Sequence, residues 1–170
     1  MDIKTKASKI KLVAFDVDGV LTNGEIIYTD RGEEIKIFNA KDGHGIAMLA
    51  KKGFVTAIIT ARSSSIVDKR AKDLYITHVY QGQKNKFIAI QDLMGIYGVE
   101  LSEIAYVGDD MPDICVLEKV GLACCPADAV NEVKQICHFI SSQQGGKGAM
   151  REIADLILSA VQEGKEALVK

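Results

Sequence analysis

The chain has 170 residues, 48% of them hydrophobic and 26% charged, which suits a single packed domain over residues 1–170 and excludes a disordered tract. Lys and Arg number 21 against 23 Asp and Glu, a formal net charge of −2 that excludes a broadly basic nucleic-acid-binding surface. No stretch approaches the roughly 18 consecutive apolar residues of a membrane span, so neither nucleic acid nor membrane is expected as a partner.

The opening MDIKTKASKIK lacks the apolar middle of a secretory signal. Residues 11–15 (KLVAF) form an apolar run, read as a strand, that ends at Asp16-Val17-Asp18-Gly19. Residues 25–38 (EIIYTDRGEEIKIF) hold two β-rich runs around Asp30-Arg31-Gly32, a hairpin signal with Gly32 suited to a left-handed turn position. A helical pattern follows over about 44–52, then a strand over 54–59 ending at Thr60. A helix over 64–74, a weak strand over 77–80 and a helix over 85–97 come next. Residues 104–107 (IAYV) are a strand running into Gly108-Asp109-Asp110-Met111-Pro112-Asp113. A helix over 111–119, a strand over 121–125, a helix over 129–137 and a strand over 138–141 continue the alternation. Gly145-Gly146-Lys147-Gly148 reads as flexible, and a last helix over about 149–161 has Ile153, Leu156, Ile157 and Ala160 on one face. The four cysteines (Cys115, Cys124, Cys125, Cys137) include no CxxC pair. They are read as buried reduced thiols in a cytoplasmic protein, with Cys124 and Cys125 on opposite faces of their strand.

Short strands that are apolar on both faces and joined by helices predict a three-layer, Rossmann-like α/β domain. Its parallel sheet has the expected order 3-2-1-4-5-6, with the hairpin as an insertion and no large cap. In that order strands one and four are neighbours about 4.8 Å apart, so their acidic turns meet beyond the carboxyl ends of the strands, where such sheets bind ligands. Carboxylates this close cannot all stay ionised unless a cation is present, and hard oxygen donors favour Mg²⁺.

Phe15-Asp16-Val17-Asp18-Gly19-Val20, then Thr60, Lys86 and Gly108-Asp109-Asp110 with Asp113, resemble in order the four motifs of haloacid dehalogenase superfamily phosphatases. The resemblance implies Asp16 as nucleophile through an aspartyl-phosphate, and Asp18 as the acid and base for the two steps. It places Mg²⁺ on Asp16, Asp109 and the carbonyl of Asp18, and phosphoryl oxygens on Thr60 and Lys86. Lys84 is an alternative to Lys86, which stands better before a helix; Asp110 and Asp113 are supporting, with Asp113 orienting Lys86 or a metal-bound water.

Asn39-Ala40-Lys41-Asp42-Gly43, Thr60-Ala61-Arg62, residues 67–70 (VDKR), residues 80–86 (YQGQKNK) and residues 145–152 (GGKGAMRE) are similar to the family of 3-deoxy-D-manno-octulosonate 8-phosphate phosphatases. That likeness implies a phosphorylated sugar acid as substrate, in lipopolysaccharide sugar synthesis. Its contacts would be Asp18, Asn39, Ala40, Lys41, Asp42, Gly43, Arg62, Arg70 and Lys86. It also implies a homotetramer joined through the hairpins, with glycine-rich tails approaching a neighbour's site. Lys41, Ala47 and Lys147 depart from the family, which often has Arg there. The alternative substrate is therefore a nine-carbon acid 9-phosphate (acylneuraminate or deaminoneuraminate). A phospho-accepting signalling receiver is the remote alternative, although its acceptor Asp follows the third strand, and here that strand ends in Tyr80-Gln81-Gly82-Gln83.

Overall fold

A computed structural model describes residues 2–167. In chain order the elements are α1 (Ile3–Ala7), β1 (Leu12–Phe15), β2 (Ile27–Tyr28), β3 (Glu34–Ile35), α2 (Ala40–Lys51), β4 (Val55–Ile59), α3 (Ser65–Asp73), β5 (His78–Tyr80) and α4 (Lys86–Tyr97). After a 3₁₀ turn over Leu101–Glu103 come β6 (Ile104–Val107), a second 3₁₀ turn over Met111–Asp113, α5 (Ile114–Leu117), β7 (Leu122–Cys125), α6 (Asn131–Ile136), β8 (Phe139–Ile140) and α7 (Ala149–Ala167).

Six strands form one sheet in the order β5-β4-β1-β6-β7-β8, every neighbouring pair parallel, while β2 and β3 pair antiparallel in a sheet of their own. This is the expected 3-2-1-4-5-6 order with a hairpin insertion. Strand alternation sends Val13 and Phe15 into a core with α2, α3 and α7, and Leu12 and Ala14 into a second core with α4, α5 and α6. Cys124 and Cys125 divide between the two cores in the same way. Both cores contain fully buried Leu and Ile, each worth about 1.5–3 kcal/mol in apolar burial. Two clusters on opposite faces of a parallel sheet make three layers.

Register aligns the functional edge. Phe15 lies opposite both Ile58 and Val107, so the residues following β1, β4 and β6 emerge together at the carboxyl end of the sheet. Several expectations need correction. Helix α2 begins at Ala40, not near 44, because the Asn39 side chain accepts from the backbone N–H of Lys41 (2.7 Å) and Asp42 (3.4 Å), capping a turn whose glycines obscure the apolar period. The helix expected over 111–119 is a 3₁₀ turn followed by a single α turn, set by a capping box between Asp110 and Asp113 with Pro112 inside it. Residues 145–148 are tied down. Gly145 is buried and donates to Asp128 Oδ1 (2.9 Å), and Gly146 donates to the Val20 carbonyl (3.0 Å). A Cβ at Gly145 would overlap the Gly19 carbonyl, so only glycine lets this segment lie against the turn after β1.

Candidate active site

Beyond the carboxyl ends of β1, β4 and β6 lies a cavity of about 290 Å³ lined by Asp16, Asp18, Gly24, Thr60, Ala61, Arg62, Lys86, Asp109, Asp110 and Pro112. Clefts of about 340 Å³ and 430 Å³ open at the amino ends of the strands, but no carboxylate lines them. Clustered chemistry therefore belongs to the smaller cavity.

Lys86 begins α4, whose first turn is capped by Asn85 accepting from Phe87 N–H. Its ammonium points back under β1 and donates to Asp16 Oδ2 (2.5 Å) and Asp113 Oδ1 (2.6 Å), with 1% of the side chain exposed. Burial alone would lower the Lys86 pKa, but the Asp113 and Asp16 carboxylates outweigh it and hold the pKa above the ordinary value. Asp113 is fully occupied: besides Lys86 it accepts from the Tyr106 hydroxyl (2.7 Å) and from the backbone N–H of Asp109 (3.0 Å) and Asp110 (3.3 Å). It anchors Lys86 and the acidic turn. Asp110 caps that turn through Met111 N–H.

The Asp16 carboxylate accepts from Val17 N–H as well as from Lys86, leaving it between the two in the cavity wall. Burial pushes its pKa up, against the pull of Lys86. Asp109 is pushed up to about 8, by burial and then by the Asp113 and Asp16 charges. Its Oδ1 is buried without a hydrogen-bond partner. A Cβ on Gly19 would collide with the Asp109 carboxylate, so glycine lets the two acidic turns close on each other. Oxygens of Asp16, Asp109 and Asp113 lie within 4.8 Å of one another, the one such metal-ligating group among the described residues. With Asp113 committed to Lys86 and Tyr106, the oxygens left for a cation are those of Asp16 and Asp109. An orphaned buried carboxylate oxygen in an all-oxygen cluster fits a hard divalent ion.

Asp18 faces the hairpin. Its Oδ1 accepts from Lys36 (2.5 Å) and its Oδ2 lies 3.7 Å from Arg62 Nε. Arg62 in turn donates to Glu34 (2.7 Å) and to the Tyr28 hydroxyl (3.1 Å). Lys36, Glu34 and Tyr106 were not singled out from the sequence. The signal for the first two is the alternation Glu34-Ile35-Lys36-Ile37, which puts both charges on one face of the hairpin; Tyr106, inside an apolar strand, carries no such signal.

The remaining sequence-nominated residues gather elsewhere. Asn39, Ala40, Lys41, Asp42, Gly43 and Arg70 do not line the cavity. The buried Asp42 carboxylate accepts from Gly148 N–H (3.1 Å) and Arg151 N–H (2.9 Å), holding the start of α7. Arg70 stacks over Phe38 (5.4 Å), passes close to Gly43 and donates to the Asn39 carbonyl (3.4 Å). Its Nε is buried and has no hydrogen-bond partner. Lys41 and Ala40 are exposed.

A family model described as haloacid dehalogenase-like hydrolase matches residues 71–153. The 3-deoxy-D-manno-octulosonate 8-phosphate phosphatase KdsC of Escherichia coli K12 is 43% identical over 166 residues, 98% of this chain and 88% of that protein. The crystal structure of the Yersinia pestis 3-deoxy-D-manno-octulosonate 8-phosphate phosphatase superposes with a TM-score of 0.93 at 40% identity, covering 95% of this chain and 87% of that one. The Moraxella catarrhalis phosphatase of the same name, in complex with magnesium, phosphate and a KDO molecule, gives 0.92 at 41% identity, covering 99% and 98%. Likeness of this extent, over a sheet that delivers every superfamily motif to one edge, shows that the chain belongs to the haloacid dehalogenase-like hydrolases, in the family of the 3-deoxy-D-manno-octulosonate 8-phosphate phosphatases.

Proposed function

We propose that the protein hydrolyses the phosphomonoester of 3-deoxy-D-manno-octulosonate 8-phosphate, with Asp16 as nucleophile. The observation that carries the reading is the pairing of Asp16 with the buried Lys86 ammonium, in a chain alike over nearly its whole length to phosphatases of that name. Asp16 attacks phosphorus and the bond to the sugar oxygen breaks; Asp18 gives that oxygen a proton. Asp18 then takes a proton from the water that cleaves the aspartyl-phosphate, returning Asp16 and releasing phosphate. Lys86 and Thr60 hold phosphoryl oxygens, neutralising charge that would repel a carboxylate nucleophile. Asp16, Asp109 and the carbonyl of Asp18 would hold Mg²⁺, which supplies positive charge against the phosphoryl oxygens and relieves the crowding of carboxylates.

Asn39–Gly43, Arg62 and Arg70 are the proposed contacts for the sugar-acid end, where an Arg fork suits a carboxylate. That most of them lie outside the cavity lining supports a site completed by a second subunit. The hairpin supports the same reading. It turns Glu34 and Lys36 inward and exposes Ile26, Tyr28, Ile35 and Ile37, an inverted polarity suited to packing against other hairpins in a homotetramer. No helix among the described residues is long and apolar enough to cross a membrane, in keeping with a cytoplasmic enzyme of lipopolysaccharide sugar synthesis.

The test is Mg²⁺-dependent phosphate release from octulosonate 8-phosphate, two nine-carbon acid 9-phosphates and simple sugar phosphates. The highest kcat/KM is expected for the octulosonate ester. Preference for a nine-carbon acid would keep the chemistry and overturn the substrate, with Lys41 and Ala47 as the positions to exchange for Arg.

A further inference from the structure

Lys36 belongs to the hairpin, 20 residues past Asp16 and in another sheet, yet only 2% of its side chain is exposed. Its ammonium sits between Asp18 Oδ1 (2.5 Å) and Glu34 Oε1 (3.2 Å). It does not line the cavity, so it is placed to act on Asp18 and not on a substrate. Glu34 is itself fixed by Arg62 (2.7 Å), whose Nε closes the ring at the second oxygen of Asp18 (3.7 Å). Two cations and two carboxylates thus alternate around a closed circuit that joins the hairpin to the turn after β1.

A lysine kept out of water needs such partners, and the circuit makes the dependence mutual. Without the ammonium, Asp18 keeps only the longer contact to Arg62 (3.7 Å), which Glu34 holds more closely (2.7 Å), and repulsion from Glu34 turns the Asp18 carboxyl away. The Asp18 carboxyl stands in the turn after β1, and the contacts that orient it come from Lys36 (2.5 Å) and Arg62 (3.7 Å). A proton donor must lie within hydrogen-bond reach of the leaving oxygen, and a carboxyl turned away loses that reach.

We propose that Lys36, tethered by Glu34, is a positioning residue that sets the orientation of the Asp18 carboxyl and so makes the hairpin part of the phosphoryl-transfer machinery. This rests on Asp18 being the acid of the reaction proposed above. The requirement for an acid differs between esters: a sugar alkoxide must be protonated as it leaves, whereas nitrophenolate leaves without a proton.

The experiment is single-turnover cleavage of octulosonate 8-phosphate and p-nitrophenyl phosphate by the Mg²⁺-loaded full chain, comparing wild type with Lys36→Met, Lys36→Arg, Glu34→Gln and Asp18→Asn. Lys36→Met is expected to slow the sugar ester by about tenfold or more and the aryl ester by less than about threefold, with KM for the sugar ester little changed. Lys36→Arg should recover most of the rate. Should Lys36→Met fail to fold, Glu34→Gln, which removes only the tether's charge, is expected to show the same ester-selective loss in smaller measure. Equal slowing of both esters, a change in KM alone, or no change overturns the positioning role. Asp18→Asn separates the two claims. If it leaves sugar-ester cleavage at the wild-type rate, the acid role itself falls; if it abolishes cleavage while Lys36→Met does not, Lys36 alone is misassigned.

Discussion

An ammonium with 1% of its side chain in water persists at Lys86 because two carboxylates and a tyrosine-braced acidic turn surround it. Lys86→Met leaves Asp16 and Asp113 buried without their counter-charge. Breaking such a pair costs about 3–5 kcal/mol, so urea unfolding of the metal-free variant should show a loss of that order. Turnover should fall by at least about a hundredfold as the phosphoryl oxygens lose their cation. Near-wild-type stability would mean that the carboxylates find other partners. Asp109 gives a pH prediction with a definite sign. Burial, Asp113 and Asp16 hold its carboxyl protonated up to about 8, against 3.8 for the ordinary group. Without metal the folded state therefore keeps a proton that the unfolded chain releases, and this contribution to stability is lost as pH rises from about 4 through about 8. A divalent ion competes with that proton. Stabilisation by Mg²⁺ in thermal unfolding should then be larger at pH 8.5 than at pH 6. An equal shift at both would place the ion elsewhere.

Elements meet the site through contacts that the sequence discloses unevenly. Asp42 ties the first turn of α2 to the first turn of α7, accepting from two N–H groups 106 and 109 residues away. Asp42→Ala should lower stability by about 1–2 kcal/mol, within the range for lost caps, measured by urea denaturation. No change would mean that water replaces the cap. Gly145 presses on the carbonyls of Gly19 and Thr22, so Gly145→Ala forces the acidic turn to move. It should cost about 1–3 kcal/mol and also lower kcat, whereas a purely stabilising contact would spare kcat.

Neither dependence was readable from the chain. A glycine-rich stretch looks flexible until its neighbour is known, and the Asn-Ala-Lys-Asp-Gly run looks like a loop until Asn39 is seen capping it. By contrast, the six sheet strands were legible within a residue or two: β1, β4, β6 and β7, buried almost throughout, read as continuous apolar runs, and the partly buried β5 gave only a weak signal. The DxD turn and the Gly108-Asp109-Asp110 turn were legible for the same reason, standing where buried strands stop. Helix α1 was not. Its five residues, Ile-Lys-Thr-Lys-Ala, offer too few apolar positions to show a period.

At the scale of the molecule, the hairpin is proposed to link assembly to chemistry. Its outward face carries Ile35 at 43% and Ile37 at 64% exposure, while its inward face carries the Lys36 and Glu34 that hold Asp18. Sedimentation at micromolar concentration should show a tetramer, and Ile35→Asp with Ile37→Asp should split it and lower turnover together. A wild-type monomer with full activity would remove the hairpin from both roles.

In the proposed reaction Asp16 carries the phosphoryl group between sugar and water. Turnover of octulosonate 8-phosphate with Mg²⁺, quenched in acid within the first cycles, should leave a phosphoryl adduct by mass spectrometry on the peptide containing Asp16. The adduct should vanish when the substrate is allowed to run out before the quench, and Asp16→Asn should show neither adduct nor phosphate release while keeping its fold. Phosphate release by Asp16→Asn within about tenfold of wild type would rule out Asp16 as the nucleophile, since loss of a nucleophile costs orders of magnitude.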